Sequence, residues 1–465
     1  MTERPDHGLA ISLSPGEVRV ALIEQGRLSV FWRDDNRSAC RIGDVFRGRI
    51  TAIDAKLGGA FVDIGQGETG FIDVPAQPSL SKGSSLLVQV ANDAEDGKQL
   101  GLRRRIELAG HALTLIPGGA GVEVSRRIAD AQARAALKTL IGGLARPGEG
   151  WVVRTVAVGT PPARLKAEAE TLRRQAAQLS ADGQPGLVRA EPDLMLRALR
   201  DLASPEMAEI VIDDGAAFSR ARNFVATEQP DLADRLQVYR GPGLFEAWGI
   251  DAELESALER RHPLPGGGVL SIDPTPTLTA IDVDRAGSPQ SLRSINLEAA
   301  ERLAELIPLR NIGGLVVIDF LRMATSQYRA IVAQRLTAAL KDDPLRAQVL
   351  GFTRAGLCEV TRPRSGRSLE RALQAPCVVC AGTGHVGDAR VRGLEAIRAI
   401  IAASAANPTM ALMIAAAPAI ARMLMGSLAA SLDEAERLIG RAIPIVPEPN
   451  LMPDRFEIGP DMDML

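Results

Sequence analysis

Thr277-Leu-Thr-Ala-Ile-Asp-Val-Asp284, a polar loop, the segment Asn296 to Arg310, and Gly313-Gly-Leu-Val-Val-Ile-Asp-Phe320 read together as one βαβ unit. The two short runs of β-branched and aliphatic residues predict strands. Between them, Ala299, Leu303, Leu306 and Ile307 fall on one face of a helix, with Asn296 placed to cap its start and Gly313-Gly314 to close the connection. Each strand ends in acid, Asp282 and Asp284 on the first and Asp319 on the second. A right-handed crossover between parallel neighbours sets these carboxylates side by side at the carboxyl edge of the sheet. Acids so placed repel one another unless a cation lies between them. Mg²⁺ suits such a pair, because it takes one or two carboxylates, keeps several waters and can hold a phosphate. The competing reading is that strand-end aspartates only cap the loops that follow.

The wording of this unit, Ile281-Asp-Val-Asp284, Asn296-Leu-Glu-Ala-Ala300, Leu309-Arg-Asn-Ile-Gly-Gly314 and Val317-Ile-Asp-Phe320, resembles the catalytic segment of the ribonuclease E/G family. Those enzymes are bacterial endoribonucleases that cut single-stranded RNA with Mg²⁺. The resemblance implies that Asp282 and Asp319 bind the metal, and Asp284 beside them is a further candidate catalytic acid that could strengthen metal binding. Asp284 stands where the family usually has Asn, Pro276 where it has an acid, and Arg322 where it has a second Asp. The loop before Asn296 is also shorter than in the family.

Composition bounds the rest. A chain of 465 residues forms two or more domains, and 3% aromatic content leaves cores of Leu, Val, Ile and Ala. A formal charge of −3 offers no global field for nucleic acid, so RNA binding has to come from local patches. The amino terminus carries no signal-peptide pattern. Ala399 to Ala421 runs 23 residues without a charge, but it is mostly Ala and is interrupted by Pro408 and Pro418, so no membrane span is expected. Four cysteines in this length point to a reducing, cytoplasmic setting.

From the amino terminus, Leu9 to Leu13, Val18 to Ile23 and Leu28 to Trp32 predict three strands around a Pro15-Gly16 turn. Residues 43 to 103 predict short strands with glycine turns, a small closed barrel. Gly43-Asp-Val, Gly59-Ala-Phe-Val-Asp and Gly70-Phe resemble an S1 RNA-binding domain of the OB class. There Phe61 and Phe71 stand at base-stacking positions and Lys98 at a phosphate-facing one; the alternative is that both phenylalanines are core. Val153-Arg-Thr155 resembles the family's pocket for a 5′-monophosphate, with Gly110 and Arg346 at supporting positions and Arg126-Arg127 at its RNA-contacting pair. Residues 192 to 262 predict a further α/β segment in which Asp213 and Asp214 read as turn caps. Helix Gln327 to Leu340 follows Asp319, and Arg362, Arg364, Arg367 and Arg371 form either an RNA-following patch or an ordinary solvated segment.

Cys377-Val-Val-Cys380-Ala-Gly-Thr-Gly384 has the spacing of a zinc knuckle with only half the ligands of a tetrahedral site. Two chains contributing one pair each would close it, as this family does; an inert or redox pair is the alternative. From residue 386 the chain is expected to be helical and Ala-rich, like the small dimerisation domain of the shorter, ribonuclease-G-like members, without a long scaffold tail.

Taken together, the resemblance implies a multidomain α/β protein. An OB-type S1 barrel (43–105) is inserted in a ribonuclease-H-like subdomain (1–42 and 192–262). A 5′-sensor subdomain (106–191), a DNase-I-like catalytic subdomain (263–372), a zinc link (373–386) and a small dimerisation domain (387–465) follow. The implied activity is Mg²⁺-dependent cleavage of single-stranded RNA to 5′-phosphate and 3′-hydroxyl ends in RNA processing and decay, by a zinc-linked homodimer or tetramer. A non-catalytic RNA-binding paralogue is the alternative.

Overall fold

A computed structural model of the chain describes residues 4–35, 40–65, 67–73, 81–92 and 99–460. The chain divides into two compact units, Met1–Leu373 and Gln374–Leu465.

The predicted βαβ unit forms. Strands Leu278–Asp284 and Gly314–Asp319 pair in parallel, with Leu278 opposite Leu315 and Asp282 opposite Asp319. They are the third and fourth strands of a six-stranded sheet, ordered Arg261–Pro263, Val269–Pro274, Leu278–Asp284, Gly314–Asp319, Cys358–Arg362, Gln348–Phe352. Every other neighbour in that sheet is antiparallel. The connecting helix differs from expectation at its start. It spans Leu292–Leu309 and is capped by Ser291, whose side chain accepts from the Ser294 amide at 3.1 Å. Asn296 lies inside the first turns, fully buried. Its Nδ2 donates to the Leu321 carbonyl at 2.8 Å, and its Oδ1 accepts from the Leu321 amide at 3.0 Å. A buried Asn in a helix is costly unless its amide is satisfied; here it satisfies both backbone groups of the residue two beyond Asp319. At the far end Asn311, at φ 49°, takes the left-handed conformation just past the Arg310 C-cap.

A second sheet in the same unit runs Leu236–Val238, Glu209–Ile212, Gly8–Ser14, Glu17–Glu24, Arg27–Asp34. It joins the amino terminus to a segment about two hundred residues later through the parallel pair Leu9 with Ile210 and Ile11 with Ile212. Both faces are buried: Leu9, Ile11, Val20 and Leu22 pack against the helices Leu194–Asp201 and Gly215–Glu228, whereas Ala10, Ala21 and Ile23 share a core with Ile281, Val283, Val316 and Ile318. This shared core holds the acid-bearing sheet in place. Asp214 caps its helix, the turn role read from the sequence, whereas Asp213 accepts instead from the Leu13 amide on the neighbouring strand.

The intervening residues fold as predicted into a closed barrel of five strands, Val45–Asp54, Gly59–Gly65, Glu68–Asp73, Leu100–Arg103 and Ser85–Asn92, because the last pairs back onto the first. Then comes a four-stranded sheet ordered Val122–Val124, Glu149–Val153, Leu113–Pro117, Leu108–Ala109, with helices Ala131–Leu144 and Pro162–Ala177.

The second unit is not simply helical. A three-stranded sheet has Leu412–Ala416 at its centre, parallel to Ile445–Pro447 and antiparallel to Phe456–Pro460. Helices Ala389–Ala406, Pro418–Met425 and Ala429–Ile439 accompany it. The uncharged run from Ala399 is thus split between helix, strand and helix, and Pro418 begins the second helix rather than breaking one. Among the described residues no helix is long and apolar enough to cross a membrane.

Two outcomes follow for stability. Asn296→Ala strands the Leu321 amide and carbonyl, so a loss of about 1–3 kcal/mol is expected in urea unfolding, greater than for a half-buried control on the same helix such as Ser294→Ala. Buried His262 accepts from Arg310 at 3.3 Å, and its imidazole is pulled down to about 4, first by burial and then by the charges of Arg310 and Arg302. The unfolded chain takes up this proton near 6.5 and the folded chain only near 4, so stability falls as pH drops through that window. Urea midpoints measured from pH 7 to 4.5 should decline less steeply for His262→Gln than for the parent.

Candidate active site and RNA-facing residues

Side chains alternate along a strand, so Asp282 and Asp284 share the exposed face of Leu278–Asp284, while Ile281 and Val283 point into the core. Asp319 ends the neighbouring strand in register with Asp282, and paired strands lie about 4.8 Å apart. The Asp282 carboxyl is pushed up by partial burial and then by the charges of Asp319 and Asp284, so the acids act on one another. Asp284 is partly committed, because its Oδ1 accepts from the Ala286 amide at 3.0 Å. Arg322 is exposed on the following loop and makes no ion pair with Asp319. Among the described residues no group of three or more His, Cys, Asp or Glu converges on one metal position. The sheet edge supplies a carboxylate pair, which matches Mg²⁺ in donor chemistry, since that ion fills its remaining positions with water and phosphate.

The arginine-threonine pair sits in a denser setting. Arg154 Nη1 donates to the Gly110 carbonyl at 2.7 Å and to Asp201 Oδ1 at 2.8 Å. Burial alone would raise the Asp201 carboxyl, but Arg200 and then Arg154 hold it below the usual range. Gly110 is required by space, because a Cβ there would lie 2.1 Å from Glu168 Oε1. Glu168 in turn accepts from the amides of Ala112 at 2.9 Å and Leu113 at 3.1 Å. One guanidinium nitrogen is therefore fixed from behind. On the outer side, exposed Thr155 Oγ1 lies 3.1 Å from Ser125 Oγ, which also accepts from the Arg127 amide. Arg127 Nη2 donates to the Asp342 carbonyl at 2.8 Å, and the same turn continues into Arg346, an exposed residue at φ 59°. Arg126 is exposed. Ser125 and Asp201 escaped the sequence reading. Ser125 sits beside the Arg pair and could have been noticed; Asp201 lies on a helix 47 residues away and carried no local signal.

On the barrel, Phe61 and Phe71 are cross-strand partners with ring centroids 5.3 Å apart at 68°. Both are half-buried and lie outside the barrel core formed by Phe46, Ile50, Val62, Ile72, Val88 and their neighbours, which places them on its surface. Gly59 makes room, since a Cβ there would meet the Phe71 ring at 2.1 Å. Lys98 lies outside the described residues.

Arg362 does not belong to a surface patch. Its buried guanidinium forms an ion pair with buried Asp343 and also donates to Asn311 Oδ1 and the Ile312 carbonyl. Arg364 remains exposed, beside Gly313 and Gly314.

In the second unit Cys377 is exposed and Cys380 half-buried. The Cys377 thiol is held below its ordinary value by the backbone amides of Cys380 and Val379 and then by the Cys380 side chain. Turn residues Ala381, Gly382 and Gly384 all have positive φ, and Thr383 Oγ1 donates to the Cys380 carbonyl at 2.7 Å. Amides aimed at a thiolate in a tight turn suit a metal-binding half-site.

Residues 107–365, more than half of the chain, match the family model described as Ribonuclease E/G family, and residues 376–461 match that of the RNase E/G thioredoxin-like domain. The strand-centred second unit accords with the latter. Similar proteins include Ribonuclease G of Haemophilus influenzae, 29% identical across 97% of this chain and 98% of that protein. Ribonuclease G of Escherichia coli K12 is 28% identical across 97% and 99%. Ribonuclease E of Haemophilus influenzae is 32% identical across 82% of this chain and 44% of that protein. With a matching family model over more than half of its residues and similarity to ribonucleases G along nearly its full length, the chain belongs to the ribonuclease E/G family, as a ribonuclease-G-like member.

Proposed function

We propose that this protein is an endoribonuclease that cuts single-stranded RNA in processing and decay, with a preference for 5′-monophosphorylated ends. The observation that carries the reading is the register of Asp282 against Asp319, with Asp282 raised by its acidic neighbours. A Mg²⁺ ion held by these two carboxylates would supply a water of lowered pKa and stabilise charge on the phosphoryl oxygens. Asp282 and Asp319 orient that chemistry from a rigid sheet edge. Asp284 adds negative charge on the same face while anchoring its own loop through Ala286. Asn296 fixes the loop after Asp319.

The RNA path of this reading starts at Phe61 and Phe71, which stack bases, passes Arg126 and Arg127, and places a terminal phosphate on the outer edge of Arg154 with Thr155, Gly110 and Arg346. Asp201 positions Arg154 by holding one nitrogen and leaving the rest of the guanidinium for phosphate. The subdomain roles follow the same reading: ribonuclease-H-like for 1–42 and 192–262, S1 for 43–105, sensor for 106–191 and DNase-I-like catalysis for 263–372. Cys377 and Cys380, in the 373–386 link, would share a structural Zn²⁺ with the same pair of a second chain, giving a homodimer.

The deciding experiment is cleavage of a short fluorescent single-stranded RNA with a 5′-monophosphate or a 5′-hydroxyl. Mg²⁺-dependent cutting, lost by at least a hundredfold in Asp319→Asn, is expected. The monophosphate advantage should vanish in Arg154→Ala and shrink in Asp201→Asn without loss of cutting of the hydroxyl form. Binding of both RNAs without any metal-dependent cleavage would instead make the chain a non-catalytic paralogue, and Arg322 beside Asp319 the first residue to revert to Asp. For the link, about half a zinc per chain and a dimer in light scattering are expected, both abolished by Cys377→Ser/Cys380→Ser; a fully monomeric zinc-free parent would refute the shared site.

A further inference from the structure

We propose that Tyr328, backed by Arg293, is a stacking platform for one nucleobase of a single-stranded RNA lying along the Asp282–Asp319 edge, a proposal that rests on the ribonuclease reading above. Arg293 is the second residue of helix Leu292–Leu309 and Tyr328 the third of helix Ser326–Ala339. These two helices follow the two acid-bearing parallel strands and pack against each other, so their amino ends open onto the carboxyl edge that carries the acids.

There the Arg293 Cζ stands 5.1 Å from the centre of the Tyr328 ring, within cation–π range. Tyr328 is 38% exposed and belongs to none of the hydrophobic cores. The chain's other tyrosine, Tyr239, is buried with its hydroxyl donating to the Pro242 carbonyl. In a protein with 3% aromatic residues, Tyr328 leaves an aromatic face in reach of solvent near the carboxyl edge of the acid-bearing strands. Among the described residues the Tyr328 hydroxyl has no hydrogen-bond partner, and Arg293 has no carboxylate within ion-pair distance. Leu292, 37% exposed, extends the apolar surface.

The chemistry matches one nucleotide. An aromatic face accepts any base, which suits a strand read without sequence preference, and a guanidinium stacked on that ring is fixed in orientation and free to meet the adjoining phosphate. The cation also offsets the acidic edge locally. Together with exposed Arg322 and Arg285 it lowers the repulsion that an RNA backbone meets where the strand approaches the carboxylates.

The test uses the full-length protein carrying Asp319→Asn, so that RNA stays intact in Mg²⁺ buffer. A single-stranded RNA with one 2-aminopurine, placed in turn at each position, should be quenched at one position on binding. Adding Tyr328→Phe should preserve that quench, whereas Tyr328→Ala should abolish it and raise the RNA Kd roughly 5- to 150-fold. Arg293→Ala should weaken binding less and flatten its salt dependence. An unchanged quench and a Kd within twofold in Tyr328→Ala would overturn the platform, and equal losses in Tyr328→Phe and Tyr328→Ala would replace stacking by a hydroxyl contact. The two readings separate cleanly. A parent that cuts RNA with a quench indifferent to Tyr328 sinks the platform alone, whereas a Tyr328-dependent quench in a parent that cuts nothing sinks the ribonuclease reading and leaves the base site standing.

Discussion

Two carboxylates are held next to each other by a parallel strand pair, and the rest of the first unit is arranged to make that tolerable. At about 5 Å, two unit charges repel by about 1 kcal/mol in water and about 3 kcal/mol at the effective dielectric of a protein surface. Against this, Ile281, Val283, Val316 and Ile318 are each nearly fully buried beneath the same strands, and full burial of such a side chain is worth about 1.5–3 kcal/mol. Four of them outweigh the repulsion several times over. The sheet can therefore carry an electrostatically unfavourable edge.

The second constraint is polar and buried. Asn296 ties the loop after Asp319 to the crossover helix. At the other end of that helix, Arg310 pairs with Glu370 and meets neutral His262, while Arg362 and Asp343 form a buried ion pair that also reaches Asn311 and Ile312. Such pairs add little net stability relative to apolar packing but penalise any arrangement that separates the partners. Here they define where the helix begins and ends relative to the acid edge. The same logic applies behind Arg154, where Asp201, Arg200 and Glu168 are satisfied by one another or by backbone, so that only the outward side remains for a ligand.

Much of the architecture was legible from local pattern. The period-2 runs at 9–13, 18–23 and 28–32, the glycine-punctuated barrel and the helix-strand alternation around 277–320 all express constraints acting within a few residues, and the folded chain keeps them. Predictions failed where a local signal competed with a distant partner. Asn296 has the chemistry of a helix cap, yet a serine five residues earlier caps the helix and the asparagine serves Leu321 instead. Arg362 sits in a basic run, yet its guanidinium is sequestered by Asp343. The Ala-rich second unit resembled helix throughout, but the pairing of 412–416 with strands more than thirty residues away makes a sheet.

By itself, the sequence determined the strand-helix-strand order, the acids at the strand ends, the Cys-x-x-Cys spacing and the family, because these depend on residue type and short spacing. Only the tertiary structure decided that Asp282 lies opposite Asp319, that Asp201 crosses from another helix to hold Arg154, and that Arg293 stacks on Tyr328. Register, counter-ion choice and stacking are set by which elements pack together: the acid-bearing strands with helix Leu292–Leu309 in one core, helix Leu194–Asp201 in a second, and the strand that ends at Val153 in a third. No short-range pattern encodes a contact made across such separations; it is the packing of these elements that creates it.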